Sequence, residues 1–412
     1  MKVARTVIIV MLAIVTAGLM AVVANVGSGI VGTREQQAAL QPFYDPPNPL
    51  PGPAGTVIRM EPLGVTVPGA TAYRILYVSE RSDGVPAASG GMLFIPDAPA
   101  PPEGRPVVAW AHGTLGMGDA CVPSRSSNPL QDTDNWLDQM MQFGWVVVST
   151  DYVGLGTPGP NQYLIAQSEV RDLVNAVRAA RNVPAAQAGT RYVTWGHSQG
   201  GHSSIWTGHL GEEYAPELDL LGVAAAAPAL NLSEIVGAQW DNVVGWVIGP
   251  DVIESWPTYY PDLPVDPILS PQAASTSARL AGECIKESAI EGLAREKLGQ
   301  QFFAMDPLTD PAWAAAALEQ TPTPLAADMP VFISQGTADT VVLPWPNAMV
   351  QKKWCDAGSS ISVLWMGGIS HQAAATTSGP SAVAWISDRF AGRPAGRTCD
   401  VPPPVPAAPP AS

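Results

Sequence analysis

A five-residue segment, Gly196-His197-Ser198-Gln199-Gly200, constrains the fold of this chain most strongly. It has the G-x-S-x-G pattern, follows the apolar, β-prone run at residues 191–195, and precedes residues 201–206, which can begin a helix. A serine on a sharp strand-to-helix turn projects above the sheet edge, and small glycines permit the strained backbone and close packing there. The bare pattern is weakly specific in a glycine-rich chain, so the preceding strand carries the prediction.

Size and charge limit the classes of function. The chain has 412 residues, of which 46% are hydrophobic, enough for one large domain with an insertion or for two domains. Its formal net charge is −15 and no cluster of Lys and Arg is present. Such a chain is not expected to bind nucleic acid or anionic membrane surfaces.

The N-terminus predicts export. Lys2 and Arg5 precede an almost wholly apolar run at residues 6–23, and Ala24 ends a candidate cleavage site. Residues 1–24 are therefore interpreted as a signal peptide or, because the run is nearly long enough to span a bilayer, as an uncleaved N-terminal anchor. The expected location is secreted or associated with the cell envelope.

Apolar runs separated by helical patterns predict an α/β, doubly wound, mostly parallel sheet. Nearly continuous apolar runs suit parallel strands buried on both faces. Residues 136–141 and 165–181 have helical spacing. The predicted strands are residues 73–78 and 91–96, as an antiparallel pair, and residues 106–111, 145–150, 191–195, 220–225, 329–334 and 361–366.

The alternation of predicted strands and helices also predicts the domain boundaries. Residues 56–230 and 325–399 form the two parts of the core, and the helical segment at residues 231–324 is inserted between them as a cap over the sheet. Helical stretches are expected within it, for example at residues 278–298. Residues 25–55 are an N-terminal extension, and residues 400–412 are a Pro/Ala-rich tail expected to be disordered.

A nucleophilic serine needs a base and a residue that orients the base. In a hydrolase sheet the chain order is Ser, then Asp or Glu, then His. Of the five histidines, only His371 follows Ser198 with room for an acid between them, in a loop just after the last predicted strand. His371 is therefore the predicted base.

Asp339 is the predicted acid, because it follows the strand at residues 329–334 on the carboxyl side, where such sheets place their catalytic groups. A buried carboxylate there would accept the Nδ1–H of His371 and fix its tautomer. Asp328 and Asp356 each precede a predicted strand and so lie at the opposite end of the sheet.

An oxyanion hole needs two backbone N–H donors. Gln199, the residue after the nucleophile, supplies the first, and Gly113 or Thr114, in the loop after the strand at residues 106–111, supplies the second. The sequence does not choose between these two. Asp151 and Tyr152, at a strand end, either line the pocket or brace it.

The four cysteines fit an oxidising compartment, and three pairings are open. No C-x-x-C pair is present, so no zinc site, metal or cofactor is predicted.

Several ordered motifs together resemble the secretory lipase family: residues 111–114 (Ala-His-Gly-Thr), 121–124 (Cys-Val-Pro-Ser), 151–156 (Asp-Tyr-Val-Gly-Leu-Gly), the serine turn, 336–339 (Gly-Thr-Ala-Asp) and His371. The resemblance covers roughly residues 40–400. It implies an α/β-hydrolase fold with a helical cap between nucleophile and acid, cleavage of carboxylic esters without a metal, and a triad of Ser198, Asp339 and His371. It also implies the pairs Cys121–Cys284 and Cys355–Cys399.

The leading interpretation is an exported serine hydrolase of carboxylic esters, a lipase or esterase, acting through an acyl-enzyme on a small-molecule or lipid ester. An acyltransferase or a thioesterase uses the same triad, and a non-catalytic binding module is the alternative outside enzymes. The aromatic residues of the cap either meet a lipid–water interface or form an ordinary core. The sequence leaves the oligomeric state undetermined, with a monomer as the expectation.

Overall fold

The computed structural model describes residues 33–133 and 135–409. Residues 33–44 form a helix that belongs to one unit, and the residues from Asp45 onward form a second. The predicted signal or anchor at residues 1–24 lies outside the described residues, as do residues 410–412. Within the described ranges, no helix is both long and apolar enough to cross a membrane.

A nine-stranded sheet runs through the second unit, as far as the described residues show, in the order β1-β2-β3-β5-β4-β6-β7-β8-β9. Its strands are β1 (Val57–Pro62), β2 (Ala70–Glu80), β3 (Pro86–Pro96), β4 (Arg105–Ala111), β5 (Val146–Thr150), β6 (Ala188–His197), β7 (Asp219–Ala226), β8 (Pro330–Gly336) and β9 (Ser360–Met366).

The sheet is antiparallel at one side and parallel across the rest. β2 pairs antiparallel with β3, with Tyr73 opposite Leu93, and the strands from β5 to β9 in the sheet order are parallel. The predicted antiparallel pair and the predicted parallel strands are therefore confirmed.

Burial on both faces explains the continuous apolar runs. In β4, Val108 and Trp110 face one hydrophobic cluster, whereas Val107 and Ala109 face another. Successive side chains of a strand point to opposite faces, so a strand covered on both sides must be apolar at every position.

Helices cover the two faces. On one face lie α1 (Leu137–Gln142) and α11 (Ala374–Phe390). On the other, α2 (Ala166–Arg181) buries its predicted apolar stripe, which comprises Val170, Leu173, Val174 and Val177. α3 (Gln199–Tyr214) packs beside α2 and against β7, and α10 (Pro344–Asp356) connects β8 to β9.

The segment between β7 and β8 is helical and has its own apolar cluster. It contains α4 (Leu232–Gln239), α5 (Val243–Ser255), α6 (Pro271–Ala274), α7 (Ser277–Ala281), α8 (Ile285–Lys297) and α9 (Pro311–Glu319). Trp246, Trp256 and Trp313 are buried in that cluster. We keep the name cap for residues 231–324.

The helical stretch expected at residues 278–298 is helical but not continuous, because the structure divides it into α7 and α8. Cys284 has an extended backbone, and the loop after β4 takes over the hydrogen bonds at the break. The N–H of Met117 donates to the carbonyl of Ala281 at 2.7 Å, and the N–H of Ile285 donates to the carbonyl of Leu115 at 2.9 Å. A tertiary contact thus replaces a helical turn, which helix periodicity does not reveal.

Disulfides join the two cysteine pairs implied by the family resemblance. Cys121 is bonded to Cys284, 163 residues away, so that the loop after β4 is tied to the cap. Cys355 is bonded to Cys399 over 44 residues and ties the chain after α11 to α10. A disulfide that closes a loop of either length lowers the entropy of the unfolded chain. In this chain-entropy treatment each bond stabilises the folded protein by at most about 4–5 kcal/mol. Residues 400–409, in the predicted tail, form no helix or strand.

Candidate active site

Ser198 lies on a strained turn between β6 and α3. Its backbone has φ 56° and ψ −114°, a conformation that non-glycine residues rarely adopt. Its N–H donates to the carbonyl of Ala226 at 2.9 Å, and its carbonyl accepts from His202 at 3.0 Å. The turn is therefore held by neighbouring backbone, and it has the strained strand-to-helix form that is typical of this motif.

Two glycines permit this turn by close approach. A Cβ atom at Gly196 would lie 2.0 Å from the carbonyl oxygen of Gly200. A Cβ atom at Gly200 would lie 1.9 Å from the carbonyl oxygen of Ala111, at the end of β4. Any side chain at either position would displace backbone, so the sequence pattern follows from packing.

A hydrogen-bonded chain links the three predicted catalytic side chains. His371 Nε2 lies 2.9 Å from Ser198 Oγ, and His371 Nδ1 lies 2.8 Å from Asp339 Oδ2. The exposed fractions of Ser198, Asp339 and His371 are 8%, 3% and 7%. The structure thus brings together residues that are up to 173 positions apart.

The loops that carry Asp339 and His371 are bonded to each other. The N–H of Thr337 donates to the carbonyl of Met366 at 2.9 Å, and the N–H of Ala338 donates to that of Ile369 at 3.1 Å. Because β8 and β9 are parallel neighbours, their carboxyl ends deliver both loops to the same edge of the sheet.

Asp339 is held by donors on both of its oxygens. Oδ1 accepts the N–H groups of Val341 and Val342, each at 2.9 Å. Oδ2 accepts Gln335 Nε2 at 3.1 Å as well as His371 Nδ1. These bonds fix the carboxylate so that His371 presents Nε2 to the serine.

His197, for which no role was predicted, supports His371. Its Nε2 donates to the carbonyl oxygen of His371 at 3.0 Å. Burial, and next the nearby His371 ring, lower the pKa of His197 to about 3. A neutral His197 can hold the backbone of His371 without adding a positive charge beside the base. Its position at the end of β6, next to Ser198, was the one available sequence signal.

The two rejected acids lie away from this site. Asp328 precedes β8, at the opposite end of the strand from Asp339. Asp356 ends α10, is largely exposed, and pairs with Lys352 at 2.7 Å.

The predicted oxyanion donors surround the serine. Gln199 is the first residue of α3, so its N–H has no intrahelical acceptor. Thr114 lines the same cavity as Ser198 and Gln199. A Cβ atom at Gly113 would lie 3.4 Å from Ser198 Cβ, so both candidate donors stay open. The Thr114 Oγ1 atom lies 2.7 Å from the hydroxyl of Tyr163, which holds this loop against the cavity wall.

A largely apolar cavity of about 880 Å³, including space open to solvent, leads from Ser198 into the cap. Most of its wall comes from α4, α5 and α9 and the segments next to them. Apart from Thr114, Tyr163, Leu164, Ser198 and Gln199, the lining residues are Ala229, Leu232, Ile235, Val236, Gln239, Trp240, Val244, Gly245, Ile248, Gly249, Val252, Trp256, Phe303, Pro307, Leu308, Trp313, Ala317, Val341 and Val342.

Asp151 and Tyr152 brace the site and do not line the cavity. Asp151 accepts the N–H of Ser124 at 3.2 Å, and also its hydroxyl. The hydroxyl of Tyr152 donates to the carbonyl of His112 at 3.1 Å. Neither residue is among those that line the cavity of Ser198, and these hydrogen bonds favour the bracing alternative.

Sequence reasoning missed one buried acid, Glu169 in the first turn of α2. Glu169 lies next to the turn at Ser198 between β6 and α3, which we call the elbow. Its Oε1 accepts the side-chain N–H of Gln199 at 2.9 Å, and its Oε2 accepts His202 Nδ1 at 2.8 Å. A charged residue within a helical apolar pattern was its one visible signal. Among the described residues, no group of three or more His, Cys, Asp or Glu side chains could hold a metal ion.

A second buried acid on α2, Asp172, lies one turn further from the site. It accepts the Ser79 hydroxyl at 2.6 Å and the N–H of Val153 at 2.9 Å. Burial raises the pKa of Asp172 to about 7; these hydrogen bonds partly offset that rise and the charge of Glu169 adds to it. Asp172 is thus a carboxyl group that binds a proton more tightly in the folded than in the unfolded chain.

This pKa predicts that Asp172 makes folding less favourable as pH rises. The unfolded pKa is about 3.9, so the stabilising bound proton is fully present below about pH 4 and is lost as pH rises through about 7. We expect Asp172→Asn, which resembles the protonated form, to remove a decline on the order of 4 kcal/mol across this window. Urea unfolding of both proteins between pH 4 and 8 measures the difference. Parallel stability profiles would show that Asp172 does not titrate in this range.

Comparisons with known proteins show what this chain is similar to. The sequence model of the secretory lipase family matches residues 126–398 of this chain. Lipase 6 of Candida albicans is 26% identical over 357 residues, covering 80% of this chain and 74% of that protein. A protein of Mycobacterium tuberculosis named a probable inactive lipase is 24% identical over 388 residues, covering 86% and 82%.

Among solved structures, Candida antarctica lipase A is similar over 89% of this chain and 88% of that one, with a TM-score of 0.70 and 18% identity. At this identity the likeness concerns the fold. The predicted α/β-hydrolase fold is confirmed.

Proposed function

The chain belongs to the secretory lipase family, and on that premise we propose that it is an exported serine hydrolase of carboxylic esters whose catalytic triad is Ser198, His371 and Asp339. The observation that carries the proposal is the continuous hydrogen-bonded chain from Asp339 through His371 to Ser198, at the mouth of an apolar cavity. Two disulfides and the basic, then apolar, N-terminus support export.

Acylation begins at Ser198. Its Oγ attacks the ester carbonyl carbon while His371 Nε2 takes the hydroxyl proton, and Asp339 stabilises the imidazolium that forms. The carbonyl oxygen becomes an oxyanion, which accepts hydrogen bonds from the N–H group of Gln199 and from that of Gly113 or Thr114. When the tetrahedral intermediate collapses, the C–O bond breaks and the alcohol leaves with the proton from His371.

Deacylation repeats these steps with water. His371 takes a proton from water, the resulting hydroxide attacks the acyl-enzyme, and the acid leaves as the proton returns to Ser198. Acyl transfer to an alcohol would follow the same path with a different acceptor, so added alcohols in the assay distinguish the two reactions.

The cavity supports a substrate with an extended apolar acyl chain. Its wall is formed almost wholly by aliphatic and aromatic side chains, and a methylene group transferred from water to such a wall gains about 0.8 kcal/mol. We assign the acyl chain to this cavity and the alcohol to the open side of Ser198. A lipid ester fits this arrangement.

One relative, from Mycobacterium tuberculosis, is named a probable inactive lipase, so a non-catalytic binding module is a second candidate function. A module that had lost catalysis would be expected to have lost a triad member, and this chain retains all three in contact. Turnover of p-nitrophenyl esters of graded chain length, beside an amide and a thioester, tests the proposal. Absence of turnover of every ester by folded protein would refute it.

We expect Ile248→Trp to shift the chain-length preference toward short esters. Ile248 lines the cavity, and a larger ring there would exclude about three methylene groups, which lowers kcat/KM for long-chain esters on the order of 50-fold. Short-chain esters should change only a few-fold. Ile290→Trp is the matched control, because Ile290 lies on α8 with 71% of its surface exposed. An unchanged chain-length profile in Ile248→Trp would contradict the assignment of the acyl chain to this cavity.

A further inference from the structure

Glu169 is a buried carboxylate whose hydrogen-bonding capacity is filled. It is 1% exposed, and a charge in such surroundings is costly unless it is matched by donors. Each oxygen accepts two hydrogen bonds, with donors at 2.8–3.0 Å: the N–H of Leu164 and Gln199 Nε2 on Oε1, and His202 Nδ1 and Ser203 Oγ on Oε2.

Three of these four donors belong to the first five residues of α3, directly after the nucleophile. Gln199 is the residue whose backbone N–H is assigned to the oxyanion, and its side chain is tied to Glu169. The side chains of Gln199 and Ser203 each donate a hydrogen bond to Glu169, and these two bonds limit rotation of the start of α3. The direction of the Gln199 N–H therefore depends on a carboxylate that does not touch the substrate.

The same carboxylate holds the cavity wall. Leu164 lines the cavity and has φ 54°, a left-handed conformation that is costly for a non-glycine residue and must be maintained by its contacts. Its N–H donates to Glu169 Oε1, the atom that also accepts the Gln199 side chain. The wall at Leu164 and the start of α3 therefore meet at one oxygen atom.

His202 extends this network to the cap. Its Nε2 lies 2.8 Å from the carbonyl oxygen of Gln320, the residue after α9. The side chain of Gln320 accepts the N–H of Ala166, the first residue of α2, at 2.9 Å. It also donates to the hydroxyl of Tyr260 at 2.6 Å. The cap is thus joined to both helices beside the elbow.

We propose that Glu169 is a positioning residue for the reaction, which fixes the oxyanion donor at Gln199 and the cavity wall at Leu164 in one geometry. This rests on the proposed ester hydrolysis at Ser198. Because the oxyanion forms only in the transition state, a misplaced donor weakens transition-state binding more than substrate binding. A side chain that served stability alone would change the amount of active enzyme and leave the rate per active site unaltered.

The first test is Glu169→Gln, assayed on a short-chain soluble ester. The amide group would face four donors with a donor of its own, so the Gln199 turn should move. We expect kcat/KM per active site to fall about 10–100-fold, mostly in kcat, with active sites counted by a phosphonate that labels Ser198. Affinity for an alkylboronic acid, which adds to the serine as a tetrahedral anion, should fall by a similar factor.

Asp172→Asn is the matched control, since it neutralises another buried acid on α2 that does not contact the elbow. We expect its kcat per active site and boronic acid affinity to stay within about two-fold of the native protein, because its hydrogen bonds reach β2 and the loop after β5 instead of α3.

A second variant, Gln199→Met, removes the bond to Glu169 and keeps the backbone N–H, so it applies even where Glu169→Gln does not fold. We expect about a 10-fold fall in kcat with a parallel fall in boronic acid affinity, and little further loss in the double variant. Unchanged per-site kcat and boronic acid affinity in the folded variants would overturn the positioning role. A native protein without ester turnover would instead refute the proposed function.

Discussion

Ser198→Ala is expected to lower kcat on a soluble ester by about 10⁴–10⁶-fold and to leave the fold intact. The substitution removes the atom that we propose attacks the carbonyl. The side chain bonds to His371 Nε2 at 2.9 Å, and the turn itself is held by backbone bonds to Ala226 and His202, which alanine retains. Turnover with purified variant, together with an unchanged melting temperature, measures this.

Ser198 and His371 should also behave as one unit. Once the nucleophile is gone, the base has no proton to take, so Ser198→Ala combined with His371→Ala should be hardly worse than either change alone. Ser370→Ala is the control, because Ser370 is exposed and adjacent to His371 in the same loop. Residual activity of more than a few per cent in a clean Ser198→Ala preparation would contradict the nucleophile assignment.

Asp339→Asn is expected to reduce kcat by about 10⁴-fold with little change in fold. Asp339 Oδ2 accepts the hydrogen bond of the His371 Nδ1–H group at 2.8 Å, which leaves Nε2 free to take the serine proton. An asparagine amide placed there would donate and favour the opposite tautomer of His371, whose Nε2 then carries a hydrogen. Steady-state kinetics across pH 6–9 would show the loss at every pH.

Asp356→Asn makes the same chemical change at the rejected acid. Asp356 has 66% of its side chain exposed and pairs with Lys352, an arrangement that contributes little to stability. We expect native kinetics from this variant. Inactivation by Asp356→Asn with a fully active Asp339→Asn would reverse the assignment of the acid.

Much of the fold was predictable because it depends on local pattern. Apolar runs such as residues 106–111 and 145–150 became β4 and β5, because a strand covered on both faces buries every side chain and is therefore apolar throughout. The order of Ser198, Asp339 and His371 was predictable for a related reason: in a parallel sheet, every loop that follows a strand reaches the same edge. Neither inference required knowledge of a single side-chain contact.

The sequence by itself therefore determined the order of the three residues along the chain. It also determined which loops after strands carry the serine, the aspartate and the histidine. Only the tertiary structure decided which side chains surround them. Glu169 meets His202 across 33 positions, and His197 meets the backbone of His371 across 174. The break between α7 and α8 likewise depends on the loop after β4. Periodicity records whether a residue is buried, but a hydrogen bond between distant segments depends on distance and direction, which exist only once the segments have packed.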